Sequence, residues 1–350
     1  MAQSFKFKPL SEQTVVITGA SSGIGLCTAR KLADKGAKLV LAARNHDALT
    51  HLEREINRAG GHAIHVDADV GSEDDVLAIA QTAEKHFGGF DTWVNNAGVS
   101  LYGRLEDVIT EDHRRLFETN FWGVVYGSLQ ALKHLKEHGG TIINVGSTLG
   151  DRAIPLQGMY CASKFAVKGF TDALRMEIEE AGYPVSVTLI KPAAIDTPYV
   201  KHAKNYLPHE PKNPYPVYAP DTVAAAILHA ATHRERDIHV GAASKAFTLA
   251  EKIAPRITDR YMEAVLFGQQ QTDKPSPRNR QDSLHWTSHN GGPQERGDYG
   301  QIGHVNETSL YTSASIHPWI TTALLGAASV AGIAVAALLS TEGPTRRLRR

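Results

Sequence analysis

The sequence predicts an α/β fold: a doubly wound parallel sheet that helices cover on both faces. Two observations support this prediction. Short apolar runs rich in β-branched residues alternate with helical stretches between residues 14 and 240, and a glycine-rich turn at 18–25 directly follows the first run. Parallel strands need right-handed crossovers that usually contain a helix, so the alternation favours one parallel sheet in a single domain.

The elements of this domain follow in a regular order. The strands are expected at residues 14–18, 38–43, 62–66, 91–94, 141–145, 185–190 and 237–240. The first helix is expected to end near residue 35, and the others to cover 47–59, 73–87, 111–137, 157–181 and 220–233. Gly36 is placed to cap the first helix, and Gly60-Gly61 to stop the second. The catalytic domain is expected to cover residues 1–267.

The composition changes after this domain. Residues 268–316 are rich in Gln, Ser, Asn, Gly, Pro and His and contain few aliphatic side chains. Such a segment buries too little apolar surface to offset its conformational entropy. The sequence therefore predicts a disordered linker over 268–316.

The last segment, 317–350, contains an uncharged apolar run at 320–340. Its length suffices for a helix to cross the ~30 Å hydrocarbon core of a membrane. Trp319 stands at one edge and four arginines follow the other. We expect a membrane anchor with a basic tail and a catalytic domain in the cytoplasm. The arginines also prefer the cytoplasmic side, yet they lie at the opposite end of the span from the catalytic domain. A short translocated tail or an insertion that does not span the membrane would resolve this conflict. The alternative is an Ala/Gly-rich helix that packs on protein.

Composition excludes other classes of protein. Lys+Arg and Asp+Glu both number 37, so the net charge is zero and gives no reason to expect a nucleic-acid partner. Two cysteines, both in predicted helices, do not make a disulfide framework. The 17 histidines are scattered, and His62 and His65 lie on a predicted strand without accompanying ligands. No metal site is expected.

The turn TGASSGIG at 18–25 has the features of a dinucleotide site. Gly19 permits the tight turn, while Gly23 and Gly25 remove side chains where a pyrophosphate approaches and the helix packs on the sheet. The N–H groups of the following helix then face the phosphates. Arg44 follows the second strand, where an acid would accept a ribose 2′-hydroxyl and an arginine accommodates a 2′-phosphate. NADP(H) is therefore favoured over NAD(H).

The segment YCASK places Tyr160 and Lys164 four residues apart on a predicted helix. Both side chains then leave the same face, one turn apart. A nearby ammonium favours the phenolate, so it lowers the phenol pKa toward the range of a general acid/base. Alone, the motif also fits an ordinary exposed pair.

Taken together, the motifs resemble the short-chain dehydrogenase/reductase family, in its short single-domain form. The matching residues cover about 12–245 in the expected order: TGASSGIG at 18–25, NNAG at 95–98, Asn120, Ser147, YCASK at 160–164 and PAAIDTP at 192–198. The resemblance implies a Rossmann-like domain that binds a nicotinamide dinucleotide. It also admits a homo-oligomer, since family members often pair through helices that flank the sheet.

The resemblance also implies residue roles. Tyr160 would exchange the alcohol proton, Lys164 would lower its pKa and hold the nicotinamide ribose, and Ser147 would hydrogen-bond the substrate oxygen. Asn120 would support a water-linked proton relay, and Asn96 the cofactor cleft. The implied cofactor contacts are Gly19, Ser21, Ser22, Gly23, Ile24, Gly25, Arg44, Asp69, Val70, Asn96, Ala97, Gly98, Tyr160, Lys164, Pro192, Ile195 and Thr197.

These features predict an NADP(H)-dependent oxidoreductase that interconverts a secondary alcohol and a ketone or aldehyde. Apolar loop residues and the predicted anchor favour a lipophilic small-molecule substrate. The loop residues expected to border it are Val99, Leu101, Leu149, Leu156, Met159 and Tyr199. One departure concerns Ala193, which stands where the family commonly has glycine after Pro192 and restricts that loop. Two alternatives remain: a membrane-tethered NADP(H) sensor or scaffold without catalysis, and an epimerase or dehydratase with a tightly held cofactor.

Overall fold

The computed structural model describes residues 6–287 and 292–317. Its strands are β1 (Thr14–Thr18), β2 (Lys38–Ala43), β3 (His62–Asp67), β4 (Thr92–Asn95), β5 (Leu101–Tyr102), β6 (Gly140–Val145), β7 (Val185–Pro192), β8 (Ala194–Ile195), β9 (Lys204–Asn205), β10 (His209–Pro211), β11 (Val217–Tyr218), β12 (Asp237–Val240), β13 (Gln271–Pro275) and β14 (Val305–Asn306). Seven of them form the central sheet in the order β12-β7-β6-β4-β1-β2-β3. Every neighbouring pair in this sheet is parallel. The predicted doubly wound sheet is confirmed.

Helices flank both faces of this sheet. They are α1 (Gly23–Asp34), α2 (His46–Arg58), α3 (Glu73–Phe87), α4 (Thr110–Phe117), α5 (Gly123–His138), α6 (Gly158–Glu180), α7 (Tyr199–His202), α8 (Pro220–Ala230), α9 (Ala242–Ile253), α10 (Pro255–Gln269) and α11 (Leu310–Ile316). A π-helical turn, Glu118–Trp122, joins α4 to α5. The long helix predicted at 111–137 therefore exists, with a wide turn inside it at Asn120.

Alternation along the strands divides the interior into two cores. Val15 and Ile17 of β1 pack with side chains of α1, α2 and α8. Val16 between them packs on the opposite face, with side chains of α3, α5 and α6. Because successive strand side chains point to opposite faces, a β1 strand that is buried throughout serves both layers. In open α/β sheets of this kind, ligands bind in a crevice outside the carboxyl ends of the strands.

The segment predicted as a disordered linker is instead folded against the domain in its described parts. β13 pairs antiparallel with β10, and β14 pairs parallel with β11. Leu284 is fully buried and Ile316 nearly so. The expectation for 268–316 is corrected for a physical reason: the few apolar side chains are buried, and the backbone hydrogen-bonds to the domain. Composition alone cannot anticipate such docking.

The predicted membrane span at 320–340 and its arginine tail lie outside the described residues. Among the residues that are described, no helix combines the length and apolar character needed to cross a membrane.

Candidate active site

The glycine-rich turn connects β1 to α1 in the conformation that its glycines allow. Gly19 and Gly23 have positive φ angles of 69° and 55°. A Cβ added to Gly25 would lie 2.2 Å from the carbonyl oxygen of Gly19. Helix α1 begins at Gly23, whose N–H donates to the carbonyl oxygen of Gln294 at 2.8 Å, and the next N–H groups have no partner within the helix. The three glycines therefore bring backbone, rather than side chains, to the edge of the sheet.

A second turn, at 95–98, is fastened to the first one. The Asn96 side chain donates to the carbonyl oxygens of Thr18 and Gly19 at 3.0 and 3.3 Å. The Thr18 hydroxyl accepts from the backbone N–H groups of Asn96 and Ala97 at 3.0 and 3.2 Å. This agrees with the predicted supporting role of Asn96. Thr18 was not predicted to contribute, although its place before the first glycine was visible in the sequence.

Two adjoining pockets open at this edge, and they contain nearly all of the predicted site residues. The first, called the dinucleotide pocket here, is lined by Gly19, Ser21, Ser22, Gly23, Ile24, Arg44, Asp69, Val70, Asn96, Ala97, Gly98 and Thr197. The second, called the reaction pocket, contains Ser147, Tyr160, Lys164, Pro192 and Ile195. Ile24, Asn96, Gly98, Thr197 and Tyr199 border both. Gly25 lies behind the turn, where its role is packing.

Ser147 and Tyr160 meet in the reaction pocket. Ser147 follows β6 and its hydroxyl accepts from Leu149 N at 3.0 Å, which caps a short 3₁₀ turn and fixes the side chain. The ring of Tyr160 meets the ring of Tyr199 edge-on, with centroids 5.7 Å apart. Burial raises the pKa of Tyr160, against the opposing effect of the Tyr199 and Ser147 hydroxyls.

Lys164 lies one helical turn from Tyr160 and is only 5% exposed. Its Nζ donates to the carbonyl oxygen of Val145 at 3.0 Å and lies 5.7 Å from the centroid of the Tyr160 ring. Burial lowers the pKa of Lys164 to about 8. The net shift of the Tyr160 pKa is upward because desolvation of the phenol dominates. A lowering of that pKa by Lys164 stays a prediction.

Asn120 lies in the π-helical turn and is fully buried. Its side chain accepts from Val99 N at 2.8 Å and donates to Val99 O at 2.9 Å. A third contact reaches the Ser163 hydroxyl at 3.3 Å. The amide therefore holds the chain after the 95–98 turn in place. A role for Asn120 in a proton relay stays a prediction.

Comparison with known proteins identifies the family. The family model described as short chain dehydrogenase matches residues 13–206, more than half of the chain. The uncharacterized oxidoreductase YxnA of Bacillus subtilis (strain 168) is 47% identical over 331 residues, which cover 94% of this chain and 90% of that protein. The chain is a member of the short-chain dehydrogenase family.

Other relatives and solved structures agree with this family. The putative oxidoreductase SadH of Mycobacterium tuberculosis is 39% identical over 192 residues, 55% of this chain and 70% of that protein. An alcohol dehydrogenase from Thermococcus sibiricus, complexed with 5-hydroxy-NADP, is 28% identical with a TM-score of 0.57 and covers 65% of this chain and 95% of its own. A short-chain dehydrogenase/reductase from Burkholderia phymatum in complex with NAD is 27% identical with a TM-score of 0.63. The match covers 78% of this chain and 100% of that one.

The dinucleotide pocket of this short-chain dehydrogenase fits a nicotinamide dinucleotide. The turn leaves a cradle without side chains, in which a Cβ on Gly23 would lie 3.0 Å from Thr197, and the α1 N-terminus offers backbone donors for phosphates. Arg44 lines the same pocket directly after β2, where burial lowers its pKa. Its guanidinium donates to the carbonyl oxygens of Ser283 and Leu284, contacts that the sequence did not predict.

Asp69 also borders the dinucleotide pocket, as predicted. Its carboxylate is paired with Arg115 and accepts from Gly71 N at 3.0 Å. Arg115 in turn donates to Leu284 O at 3.1 Å. A polar frame that joins α4 to the C-terminal segment therefore borders this pocket, and Arg115 was missed because nothing local in the sequence marks it.

The reaction pocket has a largely apolar wall. The predicted residues Leu149 and Tyr199 line it, whereas Leu101 and Leu156 pack in the interior away from it. Sequence reasoning missed four further lining residues: Ile154, Tyr215, Met262 and Leu266. Two of these come from α10, which lies far beyond the recognisable motifs.

Among the residues that the structure describes, two groups of side chains outside these pockets are close enough to share a cation. In one, His46 already pairs with Asp67 at 2.7 Å, next to His65. In the other, burial raises the pKa of Cys27 to about 12, which disfavours the thiolate that a metal would need. The expected absence of a metal site stays a prediction.

Proposed function

We propose that this oxidoreductase uses NADP(H) to interconvert a secondary alcohol and a ketone or aldehyde. The observation that carries the proposal is the convergence of Ser147, Tyr160 and Lys164 in one pocket that adjoins the glycine-rich turn. A hydroxyl, a phenol and an amine beside a dinucleotide cradle supply what carbonyl reduction requires of a protein: orientation and a proton.

Tyr160, Ser147 and Lys164 have different roles in the proposed reaction. The bound dinucleotide supplies or accepts the hydride. In the reducing direction Tyr160 gives its proton to the carbonyl oxygen, and its raised pKa keeps that proton available at neutral pH. Ser147, held by its turn, donates a hydrogen bond to the same oxygen and stabilises developing negative charge. Lys164 would hold the nicotinamide ribose of a bound dinucleotide through a hydrogen bond.

Arg44 supports a preference for NADP(H). It follows β2 at the adenosine end of the dinucleotide pocket, and the preceding residue is Ala43 rather than an acid. A guanidinium pairs well with a phosphate, whereas a carboxylate at the strand end would accept a ribose hydroxyl. Comparison of the KM values for NADPH and NADH tests this preference.

The wall of the reaction pocket supports a lipophilic substrate. Ile154, Met262 and Leu266 offer apolar surface, and Pro214 and Pro216 lie beside Tyr215 at the same wall. Removing apolar substrate surface from water stabilises binding by about 25 cal/mol per Å². An uncharged carbonyl compound with a hydrophobic body therefore fits better than a small charged acid. The apolar run at 320–340 supports association of the protein with a membrane, where such substrates partition.

A panel of carbonyl compounds of increasing hydrophobicity, assayed by NADPH consumption, tests the proposal. Wild type should reduce the hydrophobic members fastest. Tyr160→Phe should lose about 10²- to 10⁴-fold in kcat, since the acid is removed, while NADPH still binds. Tyr183→Phe is the matched control, because Tyr183 packs between sheet and helices outside both pockets. Equal turnover by Tyr160→Phe and wild type would refute the assigned acid. NADPH binding without turnover of any compound would favour a sensor or scaffold.

A further inference from the structure

The C-terminal segment described at residues 276–287 and 292–306, called the strap from here on, lines the dinucleotide pocket with Ser283, Thr287, Gly292 and Gln294. We infer that the strap is part of the cofactor site and that cofactor enters or leaves only when the strap detaches. This inference rests on the proposed function, because it assumes that the pocket binds a dinucleotide. The family model ends at residue 206, so the family match does not assign any role to the strap.

The strap lines the pocket at the end where phosphates are predicted to bind. Gln294 forms a parallel bridge with Ser22, and its carbonyl oxygen accepts from Gly23 N at 2.8 Å. The carbonyl oxygens of Ser283 and Leu284 accept from the Arg44 guanidinium. The strap therefore touches both the helix N-terminus and the arginine that the dinucleotide would use.

One side of the strap is anchored on α4 and its surroundings. Leu284 is fully buried in an apolar cluster with Val99, Leu101, Val108 and Leu116. The following residue, His285, contacts the buried Asp112 carboxylate at 2.6 Å. A buried leucine next to a contact with a buried carboxylate makes this side a firm attachment rather than a loose surface contact.

The other side of the strap is anchored on α1. Glu295 pairs with Arg30 of α1 at 2.8 Å, and Arg30 is also paired with Glu55 of α2. Arg296 pairs with Glu307, so the strap is also joined to the residue that follows β14. The described parts of the strap are therefore attached on both flanks of the pocket.

The strap also fixes the loop 196–203, which carries Thr197 and Tyr199 into both pockets. The Arg280 guanidinium donates to the carbonyl oxygens of Val200, Lys201 and Ala203. On the far side, Lys201 pairs with Asp298 at 2.7 Å. Since contacts from both halves of the strap hold the same loop, loop and strap open together.

A segment that must detach before the ligand can pass changes the rates of binding. If binding requires a rare open state and the strap closes again over the ligand, the barrier is added to association and to dissociation alike. Loosening the strap should therefore raise both rate constants. Locking it should lower both.

A reversible crosslink tests the inference in the full chain. Bridge partners in a sheet have Cα atoms about 5 Å apart, within the range that a disulfide spans, so Ser22→Cys combined with Gln294→Cys can join strap and turn. The native Cys27 and Cys161 are buried and do not compete. Stopped-flow measurement of NADPH fluorescence should show association and dissociation at least tenfold slower in the oxidised than in the reduced variant. The reduced variant is its own control for the substitutions.

A second variant loosens the strap. Arg280→Met keeps much of the side-chain volume but removes the donors to the 196–203 loop, so both NADPH rate constants should rise about tenfold, or about 1.4 kcal/mol in barrier. Arg236→Met removes an exposed arginine that pairs with Asp172 and Asp237, and should change neither rate. Equal rates with and without the crosslink, or a changed Kd with only one rate altered, would overturn the inference. If neither NADPH nor NADH binds the reduced protein, the proposed function itself fails.

Discussion

At the scale of single residues, Lys164 and Tyr160 keep uncharged forms accessible in a buried site. Burial lowers the pKa of Lys164 to about 8, from an ordinary value of 10.5. Between these values the unfolded chain binds more protons at Lys164 than the folded protein does, so folding stability rises with pH in this window. Below pH 8 the buried ammonium costs stability, and the protein retains that cost for its function.

Lys164→Met should reveal this cost in the free protein. The variant lacks the titrating group, so its stability relative to wild type should fall by about 2 kcal/mol as the pH rises from 7 to 9.5. Urea unfolding at the two pH values measures the change. Lys168→Met is the control one turn along α6: there Asp172 raises the lysine pKa, so the substitution should not reproduce this trend. A stability difference independent of pH would contradict the prediction.

Asn120 contributes to the site through the backbone that it satisfies. Asn120→Ala leaves the N–H and C=O of Val99 without their buried partner, which costs about 1–3 kcal/mol for each group. Thermal or urea unfolding should show a loss of at least about 2 kcal/mol, accompanied by weaker turnover. Asn57 offers a matched control, because its amide pairs in the same way with the N–H and C=O of Ala63 but is exposed. Water can replace that amide, so a similar loss in Asn57→Ala would contradict the explanation.

At the scale of elements, the strands of the central sheet could be predicted closely because their apolar runs are short and end at polar or glycine residues. β1, β2 and β12 begin and end where expected. The wide turn at Asn120 could not be predicted, because its cause is a tertiary contact with Val99 rather than a local residue preference. The role of α10 could not be predicted either, because its apolar side chains line the reaction pocket only through the tertiary fold.

The turn from β1 to α1 can be tested with two glycines. In Gly25→Ala the new methyl group meets Gly19 O and the Asn96 side chain, at 2.2 and 2.7 Å, so both turns must shift. We expect a loss of about 1–3 kcal/mol in stability and at least tenfold weaker dinucleotide binding by titration calorimetry. Gly169 lies inside α6 with open space around its Cβ position, and Gly169→Ala should stabilise the protein by about 0.5–1 kcal/mol. Unchanged binding in Gly25→Ala would contradict the close-packed role of the turn.

At the scale of the whole molecule, the chain beyond α10 belongs to the folded unit in its described residues. Leu284 is buried against α4, and Ile316 of α11 packs into the core that β1 shares with α8. Thr312 accepts a hydrogen bond from Gly241 N at 2.9 Å, next to the end of β12. Ending the chain near residue 267 would therefore uncover apolar surface and open the dinucleotide pocket. A test of the apolar run at 320–340 must keep everything through His317.

Membrane association can be measured with such a chain. If residues 320–340 insert into a bilayer, the full-length protein should sediment with membranes and stay there in high salt, because apolar insertion is not screened by ions. The chain ending at His317 should remain in the supernatant with unchanged NADPH-dependent turnover, since it keeps every described residue that lines the two pockets. Replacing Arg346, Arg347, Arg349 and Arg350 with glutamine separates charge attraction from insertion: release of this variant by salt would indicate a surface contact. Full-length protein that stays in the supernatant would refute the anchor and favour a helix that packs on protein.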